Sequence, residues 1–299
     1  MAAIQQRDES EMVNGFDWTS PVEPSESASV LVVEDTPANW QLMEKILRKR
    51  GHRATIAVNG KEAVWQCRRQ EFDVILMDVQ MPVMDGFQTT AAIRALPNSD
   101  GASATVPDVP IIAVTGYAMA DDRAHCLEMG MDAFIAKPID VGPMLATIER
   151  MARRFRERRG IRPSEQVKRI RVIGVAEDPA RKSALADDDG DGEGCPVDLE
   201  ASLTRMAGDR ELLDEMVGLF REDAPALLAR IEKSLESSQP NELERAAHSL
   251  KGLCANLESK RAAAAANALL EAARAGDLAL ARDLVPEMQR QIRRVLEWF

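Results

Sequence analysis

The chain has 299 residues, which is enough for about two domains that each bury a core. Its net charge of −11 argues against general affinity for nucleic acids or anionic membranes, so we expect neither as a partner. Four widely spaced cysteines form no CxxC pair, which argues against a disulfide framework or a zinc site. The beginning of the chain lacks the apolar core of a signal peptide. No run approaches the ~18 apolar residues of a membrane helix, and we predict a cytoplasmic protein.

Residues 1–27 are polar and rich in proline, serine and glutamate, which predicts a disordered leader. From residue 28 to 157, short apolar runs alternate with amphipathic segments. The predicted strands are 30–34, 54–58, 73–78, 109–115 and 132–137, and the predicted helices lie near 37–50, 60–70, 85–95, 119–129 and 140–156. Apolar strands that alternate with helices are buried on both faces. The pattern therefore predicts an α/β domain with a doubly wound, five-stranded parallel sheet.

The second half of the chain has a different pattern. Residues 158–197 pass from an arginine-rich stretch to the acidic run ADDDGDGEG and show little apolar periodicity, which predicts a flexible linker. From residue 198 to 299, Leu, Ala and Met recur at three- and four-residue spacing, with expected breaks at Gly208, Pro225, Ser237–Pro240 and Gly276. This spacing predicts an all-α second domain.

Polar residues stand where the predicted strands end. Glu34 and Asp35 follow the first strand, Asp78 ends the third, Thr115 the fourth and Lys137 the fifth. Ligands of doubly wound sheets bind beyond the carboxyl ends of the strands. Three carboxylates held together repel one another unless a cation neutralises them, and oxygen ligands of this kind suit Mg²⁺. The lysine and the threonine hydroxyl supply what a transferred phosphoryl group needs.

Four segments resemble the response-regulator receiver family over about residues 29–150. They are VLVVED at 30–35, DVILMDVQMPVMDGF at 73–87, IIAVTGYA at 111–118 and DAFIAKP at 132–138. The resemblance implies a flavodoxin-like fold in which Asp78 is the phosphoacceptor. It also implies a Mg²⁺ site made by Asp35, Asp78 and the main-chain carbonyl of Gln80, with Glu34 assisting through water.

The same resemblance implies further roles near Asp78. Thr115 would bind the phosphoryl oxygens and swing inward on phosphorylation. Lys137 would pair with the phosphoryl group, and the Lys137–Pro138 bond would be cis. Gly116 would keep the approach open, and Phe134 would be the aromatic side chain that follows the active state.

A second candidate site lies on one predicted helix, in NELERAAHSLKGLCANLES at 241–259. An apolar seam with 4-3-4-3 spacing predicts the buried face of a helical bundle and consists of Leu243, Ala247, Leu250, Cys254 and Leu257. His248, Lys251 and Gly252 occupy a different stripe, which places an imidazole on the exposed face beside a cation. A neutral imidazole is a competent nucleophile toward an acyl phosphate.

HSLKG resembles the HxLKG signature of histidine phosphotransfer domains, over about residues 198–299. The resemblance implies a four-helix-bundle domain in which His248 is phosphorylated, Lys251 stabilises the phosphate and Gly252 allows close approach of another active site. Glu258 departs from the family, which usually has glycine there. It adds bulk and negative charge, and we expect it to shift the choice of partner.

Together the two resemblances imply a phosphorelay protein without an ATP-binding kinase domain. A histidine kinase in trans would phosphorylate Asp78, and the group would pass to or from His248 and a downstream receiver. The alternatives are a hybrid histidine kinase fragment, a transcriptional response regulator and a phosphorylation-gated docking module. The string DDGDG at 188–192 matches part of a kinase ATP-binding motif, but its acidic low-complexity setting argues against that function. Whether transfer occurs within one chain stays open.

Overall fold

The computed structural model describes residues 27–97, 105, 107–116, 120–160 and 195–299. Almost all of the predicted leader, 1–27, and most of the predicted linker, 158–197, lie outside the described residues. The acidic run at 186–194 lies outside them as well.

The first domain is the predicted α/β fold, with one parallel sheet in the order β2-β1-β3-β4-β5. Its elements are β1 (Ser29–Val33), α1 (Pro37–Lys49), β2 (Arg53–Ala57), α2 (Gly60–Arg69), β3 (Val74–Asp78), α3 (Gly86–Arg94), β4 (Ile111–Thr115), α4 (Ala120–Glu128), β5 (Ala133–Ala136) and α5 (Val141–Arg158). Each strand lies within its predicted range or is displaced from it by one residue.

Helices cover both faces of this sheet because its strands are apolar on both. Successive strand side chains point to opposite faces. Val30 and Val32 of β1 therefore pack in the core with α1 and α5, whereas Leu31 and Val33 pack in the core with α2 and α3. Every residue of β3 and β4 is buried. These two strands are completely buried, and Asp78 and Thr115 lie at their carboxyl ends.

The second domain is helical, as predicted. It comprises α6 (Leu199–Arg205), α7 (Arg210–Glu236), α8 (Pro240–Asn256), α9 (Lys260–Arg274) and α10 (Leu278–Trp298). Gly208 and Gly276 have positive φ values of 79° and 72° and separate helices, as expected. No helix among the described residues is sufficiently long and apolar to span a membrane.

The expected break at Pro225 is wrong, because this proline lies inside α7. Proline removes one backbone donor and strains the preceding turn. The helix continues because residues on both sides of the proline, including Phe220 and Leu227, are buried in the same hydrophobic core. Tertiary packing outweighs the local penalty at this position.

The two domains pack directly on each other. Helix α1, which covers one face of the sheet, also contacts α7 and α8. Buried residues of α1, such as Leu42 and Ile46, belong to one continuous hydrophobic cluster with buried residues of α7 and α8. The same helix therefore packs on the sheet with one side and on the second domain with another.

A mostly buried ion pair joins the last helix of the first domain to its sheet. Arg156 of α5 donates from Nε and Nη2 to the Asp73 carboxylate, at 2.7 and 2.6 Å. The same carboxylate accepts the backbone N–H of Ser29 at 2.7 Å. Asp73 thus links α5 to the beginning of β1.

We expect Asp73→Ala to lower the free energy of unfolding by about 3 kcal/mol, because it removes the carboxylate that binds the mostly buried Arg156 guanidinium through two nitrogens. Urea unfolding followed by circular dichroism would measure the loss. The matched control is Glu71→Ala, which removes the more exposed pair with Arg159 and should change stability by less than about 0.5 kcal/mol. Equal effects of the two substitutions would contradict the prediction.

Candidate functional site

Three carboxylates meet at the carboxyl edge of the sheet. Asp78 ends β3, and Glu34 and Asp35 follow the neighbouring strand β1. One oxygen atom of each carboxylate lies within 4.8 Å of one oxygen atom of each of the other two. Glu34 and Asp78 are buried, and Asp35 is half-buried. The predicted convergence of these residues is therefore present in the structure.

The ammonium group of Lys137 lies inside this carboxylate cluster. Its Nζ atom is 2.8 Å from Glu34 Oε2 and 2.7 Å from Asp78 Oδ2. The Asp78 Oδ1 atom accepts the backbone N–H of Gln80 at 3.1 Å. The Lys137–Pro138 peptide bond is cis, as the resemblance implies. One cation is thus shared by two buried carboxylates.

The charges in the cluster do not balance. Burial and the nearby Glu34 carboxylate raise the pKa of Asp78 to about 8, although Lys137 opposes the rise. Burial raises the pKa of Asp35 to about 6, and Glu34 adds to the increase. Burial also acts to raise the pKa of Glu34, but Lys137 outweighs it and holds that pKa below its usual value. A second cation would therefore favour the fully ionised cluster.

The remaining predicted residues of this site surround the cluster. Thr115 is buried at the end of β4, and its carbonyl accepts the backbone N–H of Lys137 at 2.7 Å. Among the described residues the space beside Gly116 is open, since a Cβ atom there would meet none of their atoms within 4 Å. Phe134 is half-buried on β5 and packs against the core of the sheet.

Gly86 is a residue of the site that sequence reasoning did not single out. A Cβ atom at this position would lie 2.4 Å from the carbonyl oxygen of Asp78, which is closer than atoms can approach. The first turn of α3 therefore packs directly on the backbone of Asp78. The glycine after Asp85, the N-cap of α3, was the available signal in the sequence.

The apolar seam of α8 is buried as predicted. Its members are Leu243, Ala247, Leu250, Cys254 and Leu257. The expectation that His248 is exposed is wrong, because its side of α8 faces the first domain and the residue is half-buried. Lys251, one turn further along the helix, is half-buried too.

A cleft between the domains brings the two predicted sites together. Thr36 Oγ1 and Ser249 Oγ lie 3.1 Å apart across the boundary, and both residues are buried. The cleft is lined by Asp35, Thr36, Gln80, Met81 and Pro82 of the first domain and by Asn241, Glu244, Arg245, His248, Ser249 and Arg274 of the second. His248 therefore opens onto the same space as Asp35 of the carboxylate cluster.

The electrostatics of His248 reflect this position. Burial and the positive charge of Lys137 lower the pKa of His248 to about 4, with Glu34 acting in the opposite direction. Lys251 lowers the pKa slightly further. The imidazole is consequently neutral near neutral pH, and charged groups of the first domain contribute to its pKa.

Two family models match the chain. The response regulator receiver domain matches residues 30–149, and the Hpt domain matches residues 215–298. The chain therefore contains a receiver domain followed by an Hpt domain.

Several histidine kinases are similar to parts of the chain. The signal transduction histidine-protein kinase BarA of Escherichia coli K12 is 28% identical over 226 residues, which cover 76% of this chain and 22% of BarA. The sensor protein GacS of Pseudomonas syringae is 41% identical over 115 residues, which cover 38% of this chain and 12% of GacS. The chain thus spans less than a quarter of the length of these relatives.

Among solved structures, the receiver domain of the sensor histidine kinase PA1611 from Pseudomonas aeruginosa is similar to the first domain. It is 38% identical and covers 42% of this chain and 98% of its own, with a TM-score of 0.38. That crystal structure has a magnesium ion coordinated in its active site cleft.

We expect His248 to stay neutral until the pH approaches about 4, because burial and Lys137 oppose its protonation. Lys137→Met should raise the pKa of His248, since it removes the positive charge but retains the neighbouring carboxylates. Long-range ¹H–¹⁵N NMR of the histidine rings would measure both values, with His248→Gln used for assignment. The matched control Lys61→Met, at an exposed position of α2, should leave the pKa of His248 unchanged. A His248 pKa that is equal in the two lysine variants would contradict the prediction.

Proposed function

We infer that the chain transfers phosphoryl groups through two acceptors, Asp78 in a receiver domain at 28–157 and His248 in an Hpt domain at 198–299. The observation that carries this proposal is the cluster in which Asp78, two further carboxylates and Lys137 meet at the edge of the receiver sheet. A histidine kinase in trans would supply the phosphoryl group, and a downstream receiver would accept it. The free state of all four cysteines fits the reducing cytoplasm as the location of the protein.

The carboxylate cluster fits a magnesium ion. Both Glu34 oxygens already have protein donors, since Oε1 accepts from the Asn39 side chain at 3.0 Å and Oε2 from Lys137 at 2.8 Å. The resemblance to receiver domains makes Asp35 and Asp78 the carboxylates that would hold the ion directly, together with the carbonyl oxygen of Gln80. The Asp78 oxygens now accept from Gln80 N–H and Lys137, so a bound ion would share Asp78 with these donors. When bound, the ion would neutralise charge on the phosphoryl oxygens.

The protein's own groups have distinct roles in this proposal. The ionised Asp78 carboxylate attacks the phosphorus of the donor's phosphohistidine, the P–N bond breaks as the P–O bond forms, and the donor imidazole leaves. Lys137 neutralises a phosphoryl oxygen. The Thr115 hydroxyl donates a hydrogen bond to a second phosphoryl oxygen. At the other acceptor, the neutral His248 imidazole is the nucleophile, and Lys251 stabilises the phosphate on it.

The named relatives favour a second candidate, in which the chain is part of a hybrid histidine kinase. The two acceptors would then have the same roles. The phosphoryl donor would differ, because it would be a kinase domain of the same polypeptide rather than a separate protein. The native polypeptide distinguishes the candidates. A hybrid kinase would be longer than this chain and would gain phosphate from ATP and Mg²⁺, whereas a separate phosphotransfer protein would need an added kinase.

We expect Asp35→Asn to weaken Mg²⁺ binding at least about tenfold, because it removes one direct carboxylate ligand. Isothermal titration calorimetry of the full chain would measure the affinity. The control Glu128→Gln also removes one negative charge, but at an exposed position of α4, and it should bind Mg²⁺ as the wild type does. Equal affinities of the wild type and Asp35→Asn would contradict the proposed ligand set.

We expect acetyl phosphate and Mg²⁺ to add phosphate to the wild type and not to Asp78→Ala, because that variant lacks the proposed nucleophile. Intact-mass analysis would detect the addition. Any acid-labile part of the bound phosphate, which is phosphohistidine, should disappear in His248→Ala. The acyl phosphate on Asp78 should persist in that variant. EDTA should prevent labelling. Unchanged phosphate in Asp78→Ala would show that the assignment of the nucleophile is wrong.

A further inference from the structure

The contact between the receiver and Hpt domains has a charged margin. Lys49 of α1 lies 2.7 Å from Asp209 and 2.8 Å from Glu211, at the beginning of α7. Lys45, one turn earlier on α1, lies 3.4 Å from Glu215. The receiver contributes only the cations of these pairs, and the Hpt domain contributes only the anions. We call this group of five residues the α1 margin.

The centre of the contact is buried and polar. The hydroxyls of Thr36 and Ser249 are 3.1 Å apart. A Cβ atom on Gly252 would lie 3.9 Å from Oδ1 of Asn39, which is ordinary van der Waals contact. A longer side chain at this position would therefore meet α1. The close approach expected at Gly252 is made here by the chain's own receiver.

A second charged contact lies next to the phosphorylation site. Arg205 of α6 donates to the carbonyl oxygen of Pro138 at 3.0 Å and forms an ion pair with Glu258. The Asp140 carboxylate also attracts Arg205 from the receiver side. Since Pro138 follows Lys137, this arginine contacts the loop that carries the receiver lysine.

Glu258 has a backbone conformation that residues with a side chain rarely adopt. Its φ value is +51°, in the left-handed region that favours glycine. A glycine would be less strained there but could not hold Arg205. The departure from the usual glycine thus places a carboxylate where it orients the arginine toward Pro138.

We propose that the Hpt domain docks on its own receiver as its preferred partner, and that the α1 margin and the Arg205–Glu258 pair select that receiver. This inference rests on the proposed function for its chemistry. The two acceptors then exchange the phosphoryl group within one chain. The selection depends on residues outside both phosphorylation sites, and charge complementarity is the physical basis of such a choice.

The transfer step balances within the two domains. A lone pair of a neutral His248 ring nitrogen forms the new P–N bond, and the P–O bond to Asp78 breaks. The leaving electrons restore the Asp78 carboxylate, and the proton on the other ring nitrogen is lost to water. Tethered domains meet at an effective concentration on the order of millimolar, so transfer within a chain should exceed transfer between dilute chains.

Docking also controls onward transfer. The half-buried His248 opens onto the cleft between the domains. A different receiver can reach the imidazole only after the interdomain contact opens. The α1 margin and the Arg205–Glu258 pair would therefore limit the rate at which a downstream receiver obtains the phosphoryl group.

Docking can be tested without any phosphorylation. Cysteines in place of Thr36 and Ser249, in a full chain that also carries Cys195→Ser, should form an intrachain disulfide because the present oxygens are 3.1 Å apart. Non-reducing electrophoresis would follow its formation in a glutathione buffer. Lys45→Glu combined with Lys49→Glu should slow the reaction at least about tenfold, because like charges then face each other. Adding Glu211→Lys and Glu215→Lys should restore it.

Two further variants sharpen this test. Glu258→Gly should slow disulfide formation, because it releases Arg205 while the backbone favours glycine at that position. Lys61→Glu combined with Lys260→Glu changes the net charge by the same amount at exposed sites outside the contact and should have no effect. The proposal is overturned if the disulfide fails to form, or if charge reversal at the α1 margin leaves its rate unchanged.

The chemical consequence is tested in one mixture. Unlabelled full chain is mixed at micromolar concentration with ¹⁵N-labelled Asp78→Ala chain, and acetyl phosphate and Mg²⁺ are added. The amount of phosphohistidine on the unlabelled chains should exceed the amount on the ¹⁵N-labelled chains at least about tenfold. Lys45→Glu combined with Lys49→Glu in the unlabelled chain should reduce this ratio. Equal phosphohistidine on both chains would overturn the preference. Absence of phosphate on Asp78 would refute the proposed function instead, and disulfide formation would still decide docking.

Discussion

The shared contact of Lys137 with Glu34 and Asp78 is the interaction on which the rest of the site depends. Parallel strands bring three carboxylates to one edge of the sheet, and a single buried ammonium group partly neutralises them. This arrangement leaves negative charge in excess, which favours a further cation and then a phosphoryl group. The sheet therefore holds an excess of negative charge at this edge, and the cation of the proposed phosphoryl transfer would neutralise it.

Helix α1 connects this site to the second domain. One side of the helix packs on the sheet that carries the carboxylates, and another side packs on α7 and α8. The Asn39 side chain holds Glu34 and also lies closest to Gly252. A change in how the Hpt domain sits on α1 would thus act directly on the carboxylate cluster, through packed side chains rather than over a distance.

The order of strands and helices could be predicted because it depends on local patterns. Strands buried on both faces are continuous apolar runs, and helices that cover them have an apolar stripe. Pro225 shows where this reasoning fails. Its local cost was visible in the sequence, whereas the packing of Phe220 and Leu227 that outweighs the cost was not.

The carboxylate cluster, the threonine and lysine beside it, and the apolar seam that turns His248 away from its own bundle core could all be inferred from the sequence alone. These features follow from strand ends and helical periodicity, which relate residues to the nearest element. The residues that cover His248 and the contacts of Arg205 and Glu258 became visible in the folded structure and not before. Periodicity assigns a residue to a face of its helix, but a contact such as Thr36 with Ser249 joins residues far apart in the chain. Its formation depends on the complementary shapes and charges of two folded surfaces.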